Sequence, residues 1–277
     1  MHNPHSGEIA VLNNIGKIDL HRPSGIITLT TDFGLADTFV AQMKGVILSI
    51  NADAKIVDIT HQIRPFSITD AARAISVAYP YFPKGTIHIG VTDPGVGSER
   101  RGLLICAGGH YFVGPDNGIF SLVVKKAPDF RALSLRPLED YPLSSTFHGR
   151  DLFAPVAAML SLGKSPESVG SLIEEVVMID LSEPTMTNGS IVGTITAIDN
   201  FGNAITNIPL IKVSERSFKV LFRGREVPCY KFYKQAEGKG LGYIANSQGL
   251  LELFVFNGNA SEAYGIKVGE VVTVIPL

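Results

Sequence analysis

The sequence predicts an α/β fold with a central mixed sheet in its N-terminal part, followed by a small all-β, barrel-like domain. Three observations carry that prediction. Between residues 25 and 182, short β-branched runs alternate with stretches whose apolar residues recur at helical spacing, the pattern of strands joined by crossover helices. Beyond residue 190 the helical period disappears, and short strand-like runs follow one another across Asn and Gly turns. A chain of 277 residues also exceeds the usual size of one domain, so a larger core with a smaller partner is the natural arrangement.

Taken in order, residues 26–31 (Ile-Ile-Thr-Leu-Thr-Thr) read as a buried strand that ends at Asp32-Phe33-Gly34. Residues 37–50 place Phe39, Val40, Met43, Val46, Ile47 and Ile50 at helical spacing, and 54–59 returns to strand character, which completes a βαβ unit. A helix near 68–79, a strand at 86–91 and short strands at 103–107 and 111–113 continue the alternation. After Asp151, the residues Phe153, Val156, Ala157 and Leu160 mark an apolar helix. The run Glu183-Pro184-Thr185-Met186-Thr187-Asn188-Gly189 has no period and is read as the boundary between an α/β domain at 25–182 and a β-barrel domain at 190–277. Strands at 191–198, 217–222, 242–245, 250–256 and 271–275 suggest that barrel. Residues 1–24 show no packing partner and read as a disordered N-terminal tail.

Composition excludes several function classes. Apolar residues at 45% and charged residues at 18% suit a globular core. A net charge of −2 without a Lys/Arg block removes the electrostatic footprint of a nucleic-acid binder. The N-terminus lacks a charged region followed by an apolar run, so it is not a secretory signal. No segment approaches the roughly 18 uninterrupted apolar residues of a membrane span, and the protein is expected in the cytoplasm. Cys106 and Cys229 lack the close Cys/His spacing of a zinc site and read as free core thiols. His61, His88 and His110 lie in or beside strand-like runs and read as structural.

Four segments concentrate polar residues at strand ends or turns, where scaffolds display functional groups. In Thr31-Asp32-Phe33-Gly34-Leu35-Ala36-Asp37, Asp32 follows a buried strand directly; it suits a ribose diol or, equally, the cap of the next helix. Val91-Thr92-Asp93-Pro94-Gly95-Val96-Gly97-Ser98-Glu99-Arg100-Arg101 combines an acid, a Gly/Pro turn and two arginines. It lacks the ending of a P-loop, and a simple turn with an Arg pair competes with any phosphate cradle. In Thr146-Phe147-His148-Gly149-Arg150-Asp151, His, Arg and Asp crowd ahead of an apolar helix; Asp151 as a helix-terminal charge and His148 as a core histidine form the plainer reading. No Gly-x-Ser-x-Gly elbow supports a serine hydrolase. The segments 197–203 and 244–249 are Asn/Gly turns of the kind hairpins use routinely.

Together, Thr-Asp-Phe-Gly, Val-Thr-Asp-Pro-Gly-Val-Gly, Gly-Pro-Asp-Asn-Gly, Thr-Phe-His-Gly-Arg-Asp and Asn-Ser-x-Gly occur in an order that resembles the S-adenosylmethionine hydroxide adenosyltransferases, relatives of the bacterial fluorinase and chlorinase. The likeness runs from about Gly25 to the C-terminus. It implies a homotrimer whose active sites lie between the N-terminal domain of one subunit and the C-terminal domain of its neighbour. It also implies S-adenosylmethionine as substrate, with no cofactor and no metal. By position, Asp32 matches the family's ribose-diol ligand, and Phe66 and Phe147 match aromatic wall positions. Asp37, Asp199 and Ser247 correspond to methionine-end positions, Asn246 is a further substrate-binding position in the Asn-Ser-x-Gly motif, and Phe201, Asn203, Tyr233, Asn259 and Ala260 correspond to the adenine pocket. Hydrolytic members carry an Asp, an Arg seven residues on and a His, matched by Asp93, Arg100 and His148. Halogenating relatives instead place tyrosines at the positions of Asp93 and His148 and a serine at that of Gly149. One departure stands out: Gln248 occupies the place of a fluorinase arginine that reaches the methionine carboxylate, which replaces a charge-assisted bond by a neutral one of about half the strength.

The resemblance therefore implies cleavage of S-adenosylmethionine to adenosine and methionine by water-derived hydroxide at the ribose C5′. A sulfonium leaves as a neutral thioether and needs no general acid, so the burden falls on activating water, whose free pKa is about 15.7. A carboxylate, an imidazole and a guanidinium suit that task, and general-base help is worth about 10²–10⁴-fold. A non-catalytic adenosine or S-adenosylmethionine sensor and a halogenase are the competing readings.

Overall fold

The structure is a computed structural model that describes residues 8–11, 20–210 and 218–277. The chain divides between Asp180 and Leu181 into two compact units.

The first unit is built on a seven-stranded mixed sheet. In chain order it contains β1 (Glu8–Val11), β2 (Ile26–Thr31), α1 (Phe39–Ile50), β3 (Lys55–Thr60), α2 (Ile68–Ala78), β4 (Ile87–Val91), β5 (Gly102–Ala107) and β6 (His110–Pro115). Then come α3 (Ser121–Lys126), β7 (Phe130–Leu135), a π-helical turn (Gly149–Phe153), α4 (Ala154–Ser161), α5 (Pro166–Val169), β8 (Gly170–Ile173) and β9 (Glu175–Met178). The strand order is β3-β2-β4-β6-β5-β7-β8. Strands β3, β2, β4 and β6 run parallel, and β5, β7 and β8 add antiparallel. Both faces of the sheet are covered, so the period-two alternation sends apolar residues to two cores. Ile27 and Leu29 of β2 and Ile87, Ile89 and Val91 of β4 pack with Val40, Met43 and Ile47 of α1 and with Val156 and Leu160 of α4. Ala71 and Ile75 of α2 pack on the other core with Leu103, Ile105, Phe112 and Val123.

Two expectations change in this unit. The tail reading of residues 1–24 gives way at Glu8–Val11, which pairs antiparallel with β9, and at His21, whose carbonyl accepts the Tyr111 hydroxyl at 2.6 Å. Ladder hydrogen bonds hold a short polar-flanked strand that shows no helical or long alternating pattern of its own. The helix read at 37–50 begins at Phe39, because residues 32–38 form the loop leaving β2.

The second unit comprises β10 (Thr185–Thr187), β11 (Ser190–Ile198), β12 (Ala204–Pro209), β13 (Phe218–Phe222), β14 (Arg225–Val227), a 3₁₀ turn (Tyr233–Ala236), β15 (Leu241–Ala245), β16 (Leu250–Val255), α6 (Ala260–Tyr264) and β17 (Val271–Pro276). All pairings between these strands are antiparallel, in the order β14-β13-β17-β11-β12-β16-β15, with β10 beside β11. The two ends meet: Tyr230 N–H donates to the Tyr243 carbonyl at 3.0 Å and Tyr243 N–H to that of Pro228 at 2.9 Å, so the sheet nearly closes on itself as a barrel. The aperiodic run at 183–189 holds β10 and a two-residue turn, Asn188-Gly189, with both residues at positive φ as Asn-Gly hairpins favour. Cys106 is a core thiol, but Cys229 is exposed, because it lies in the seam between β14 and β15 rather than on an inward-facing strand position.

Candidate active site

In the first unit the chain passes from β2 to β3 on one side and then to β4 on the other. A crevice opens at such a switch point, outside the carboxyl ends of the strands. Asp32 directly follows β2, and Asp93 lies just beyond β4. A cavity of about 280 Å³ occupies this crevice, lined by Asp32, Phe33, Phe39, Pro65, Phe66, Val91, Asp93, Val96, Thr146, Phe147, His148 and Gly149. Few polar groups converge on a mostly aromatic wall, as in a small-molecule site.

Asp93, Arg100 and His148 form one hydrogen-bonded group. Arg100 grips Asp93 with two parallel bonds, Nε to Oδ1 at 3.0 Å and Nη2 to Oδ2, and both side chains are almost buried. Arg100 Nη2 also lies 2.7 Å from His148 Nδ1. A guanidinium only donates, so in this geometry Nδ1 accepts and the neutral imidazole carries its proton on Nε2. Burial and the Arg100 charge hold His148 below the ordinary histidine value, against the opposite pull of Asp93 and Asp151.

Local structure explains why these groups meet. The 93–100 segment folds on itself through Val96 N–H to the Asp93 carbonyl at 3.3 Å and Ser98 Oγ to the Gly95 carbonyl at 2.7 Å. At its tip Gly97 has φ of 79°, and a Cβ there would stand 2.1 Å from the Ser145 carbonyl oxygen. Only glycine lets this loop lie against the segment that carries His148. On the other side, Asp151 accepts the Ser144 N–H at 3.0 Å and Arg150 Nε at 2.6 Å. Burial opposes its ionisation, but these bonds outweigh it and hold the carboxyl below the usual range. The plain reading of Asp151 as a helix-terminal charge fits its place in the first turn of the π-helical stretch, where its contacts brace the 144–151 segment. That π-helical turn widens the backbone beside His148 and Gly149. A side chain at Gly149 would press on Met43 and Phe147 at 3.2 Å.

Asp32 caps no helix: the Thr38 that precedes α1 makes no side-chain cap bond either, and Asp32 Oδ2 accepts the Phe66 N–H at 2.9 Å. That bond holds Phe66 at φ of 66°, a strained position for a large side chain, with its ring 72% exposed at the cleft. Phe147 packs edge to face on Phe33 and Phe39 with centroids 5.7 and 5.3 Å apart, and Phe33 and Phe39 meet tilted at 5.6 Å. Sequence reading missed Phe33 as a wall residue and assigned Phe39 to the buried helix face; its position at the first turn of α1, beside a loop of small and polar residues, was the available signal. Asp37 is exposed in that loop and does not line the cavity. His61, His88 and His110 are buried, with His61 Nδ1 bonded to Thr31 and His88 Nδ1 to Thr28, both at 2.8 Å.

In the second unit the remaining candidates fall into two groups. Asp199 Oδ1 accepts the N–H groups of Phe201 at 2.9 Å and Asn203 at 2.8 Å, and its Oδ2 accepts Asn203 Nδ2 at 3.0 Å, leaving Phe201 74% exposed at the tip. Gly202, with φ of 82°, leaves room for Asn259, which caps α6 through the Glu262 N–H at 2.9 Å ahead of buried Ala260. In the other group, Tyr233 donates to Glu252 at 2.8 Å, and Asn246 Oδ1 accepts the N–H groups of Gln248 at 2.9 Å and Leu250 at 3.1 Å. Ser247 and Gln248 are exposed in that turn.

Among the described residues, no group of three or more His, Cys, Asp or Glu is placed to hold a metal ion, and no helix is long and apolar enough to cross a membrane.

Models of the S-adenosylmethionine hydroxide adenosyltransferase N-terminal and C-terminal domains match residues 27–170 and 193–273. The (R)-S-adenosyl-L-methionine hydrolase of Methanocaldococcus jannaschii is 38% identical over 90% of this chain and 95% of its own. That of Thermus thermophilus is 38% identical over 86% and 95%. A crystal structure of an uncharacterized conserved protein from Thermotoga maritima superposes with a TM-score of 0.83 at 32% identity, covering 90% of this chain and 99% of that one. With both units matched in order and the strand-end motifs gathered at one switch-point crevice, the chain belongs to the S-adenosylmethionine hydroxide adenosyltransferase family.

Proposed function

We propose that this protein hydrolyses (R)-S-adenosyl-L-methionine to adenosine and L-methionine, with Asp93, Arg100 and His148 activating the attacking water. The observation that carries the reading is the hydrogen-bonded Asp93–Arg100–His148 group opening on an aromatic cleft beside Asp32, in a chain whose relatives of 38% identity bear the hydrolase name.

In the reaction, a water oxygen forms a bond to C5′ while the C5′–sulfur bond breaks, and its electron pair leaves with sulfur as the neutral thioether of methionine. The proton lost by water passes to the Asp93 carboxylate, since His148 Nδ1 is taken by Arg100 and Nε2 carries a proton, and then to solvent. Arg100 stabilises hydroxide character and keeps His148 neutral, so Nε2–H can orient the water oxygen and Asp93 can receive the proton through Arg100-held geometry. The two groups share one guanidinium. Asp32, with Oδ2 on Phe66, has Oδ1 available for a ribose hydroxyl. Phe33, Phe39, Phe66 and Phe147 exclude bulk water, and alignment of one water with the scissile bond is itself worth effective molarities of about 10⁵–10⁸ M.

Asp37, Asp199 and Ser247 are assigned to the methionine end, Phe201, Asn203, Tyr233, Asn259 and Ala260 to the adenine, and Asn246 to substrate binding in the turn it shares with Ser247. A homotrimeric, cytoplasmic enzyme that needs neither metal nor cofactor completes the reading. Light scattering should then return three times the 29.7 kDa chain mass.

The deciding experiment incubates EDTA-treated protein with S-adenosylmethionine in ¹⁸O-water and follows the products by mass spectrometry. Catalytic adenosine with ¹⁸O at the 5′-hydroxyl is expected. Bound, unconsumed S-adenosylmethionine would overturn the enzyme in favour of a sensor, and chloride-dependent 5′-chloro-5′-deoxyadenosine would make it a halogenase.

A further inference from the structure

Glu252 lies in the middle of β16, between β12 and β15, opposite Ile205 and Ile244. Its neighbours Leu251 and Leu253 point into the barrel core, so period two sends Glu252 to the outer face. A charged residue there ordinarily meets solvent. Instead, Glu252 is 3% exposed, because Tyr233 and the 3₁₀ turn it opens cover it, beside a small apolar cluster of Ala236, Ile244 and Phe254. Burying a carboxylate costs stability unless it is paired, and replacing such a group by an apolar one is often neutral or stabilising. The fold gains nothing evident from an acid at this position.

What Glu252 does hold is specific. Its Oε1 accepts the Tyr233 hydroxyl at 2.8 Å, and Tyr233 stacks edge-on against Phe254 with centroids 4.9 Å apart. Burial pushes the Glu252 carboxyl above its ordinary value and Asp199 adds to the push, against the Tyr233 bond and the nearby Asn246 side chain. Glu252 stands on β16 close behind the 246–249 turn, whose Asn246 Oδ1 holds the N–H of Leu250, the first residue of that strand. One carboxylate thus ties the Tyr233 turn to the strand that leaves the 246–249 turn.

We propose that Glu252 is a positioning residue for S-adenosylmethionine: it holds Tyr233, at the adenine end, at a fixed spacing from the strand that leaves the Asn246–Ser247 turn. This rests on the hydrolase reading above. The Tyr233 turn is otherwise short and exposed, with Tyr233 44% open to solvent, so without this tie it would sample more positions and lose affinity.

The test compares Glu252→Leu, Glu252→Gln, Tyr233→Phe and the Tyr233→Phe/Glu252→Leu double variant, measuring melting temperature, KM, kcat and the calorimetric Kd for S-adenosylmethionine. Glu252→Leu is expected to keep or raise the melting temperature while KM and Kd rise about tenfold, with kcat within about twofold. The magnitude is that of losing one hydrogen bond. Glu252→Gln, whose amide oxygen can still accept the Tyr233 hydroxyl, should recover most of the affinity. In the double variant the Tyr233 effect should largely vanish, since its partner is already gone. A folded Glu252→Leu protein with parental KM and Kd overturns the positioning role and leaves the hydrolase reading intact. Parental protein that neither binds nor cleaves S-adenosylmethionine overturns the hydrolase reading, and this proposal with it.

Discussion

Arg100 sits between a carboxylate it grips with two bonds and an imidazole 2.7 Å away, and that placement sets the protonation state of the imidazole. A second positive charge on His148 would face the guanidinium directly, so the imidazole stays neutral into more acid conditions than a free histidine. The acid limb of kcat/KM should therefore fall below the ordinary histidine value of about 6.5, and Arg100→Met should move it upward; a limb that stays put in a folded Arg100→Met variant would remove Arg100 from this role. Asp93→Ala and His148→Ala should each lower kcat by about 10²–10⁴-fold with smaller changes in KM, as single-turnover measurements would read. The three residue types and the segments that hold them were visible in the sequence. That Nδ1 of His148 faces Arg100 rather than the cleft was not, because side-chain contacts between residues 48 apart depend on how the two loops pack.

Those loops are the elements that make the site. The 93–100 segment and the 144–148 segment touch at Gly97, where the Ser145 carbonyl occupies the space a Cβ would need. Gly97→Ala should force one loop away from the other. We expect loss of at least about 1–3 kcal/mol of stability, and a fall in kcat of tenfold or more that excess substrate does not restore. Urea titration and steady-state kinetics would check this; a Gly97→Ala protein with parental kcat would show that the spacing tolerates the shift. Strands were the easiest elements to read, since β2, β4 and β11 carry β-branched residues in runs or alternation bounded by turns. Short pieces such as β8, β9 and β14 escaped notice because three or four residues hold no measurable period, and their pairing partners define them.

At the scale of the molecule, the sheet of the first unit buries histidines that a two-sided core must keep neutral. His88 is fully buried and held down to about 3 by burial and then by His110; His110, itself buried, is held down to about 4 by burial and then by Lys84. In the unfolded chain both return to about 6.5, so between that value and about 4 the unfolded state binds more protons and stability falls as pH falls. Each contributes up to about 1.4 kcal/mol per pH unit in that window. Glu252, whose carboxyl is raised, works in the opposite sense near the lower end. Denaturant unfolding at pH 7 and pH 5 should show the loss, and a His88→Gln/His110→Gln variant should show less of it; an unchanged slope would mean the buried pair does not set the acid limit.

By itself, the sequence determined the two-part architecture, the family, the strand ends that carry Asp32 and Asp93, and the segment ahead of an apolar helix that carries His148, because periodicity and turn chemistry are local and the motifs are contiguous. Tertiary structure alone decided that Asp32 restrains Phe66 instead of capping a helix, that Phe33 and Phe39 complete the wall, and that a glutamate on an outward strand position is buried under Tyr233. Each of these depends on which distant segment covers a residue, and burial of that kind is a property of packing between elements, which no window of neighbouring residues contains.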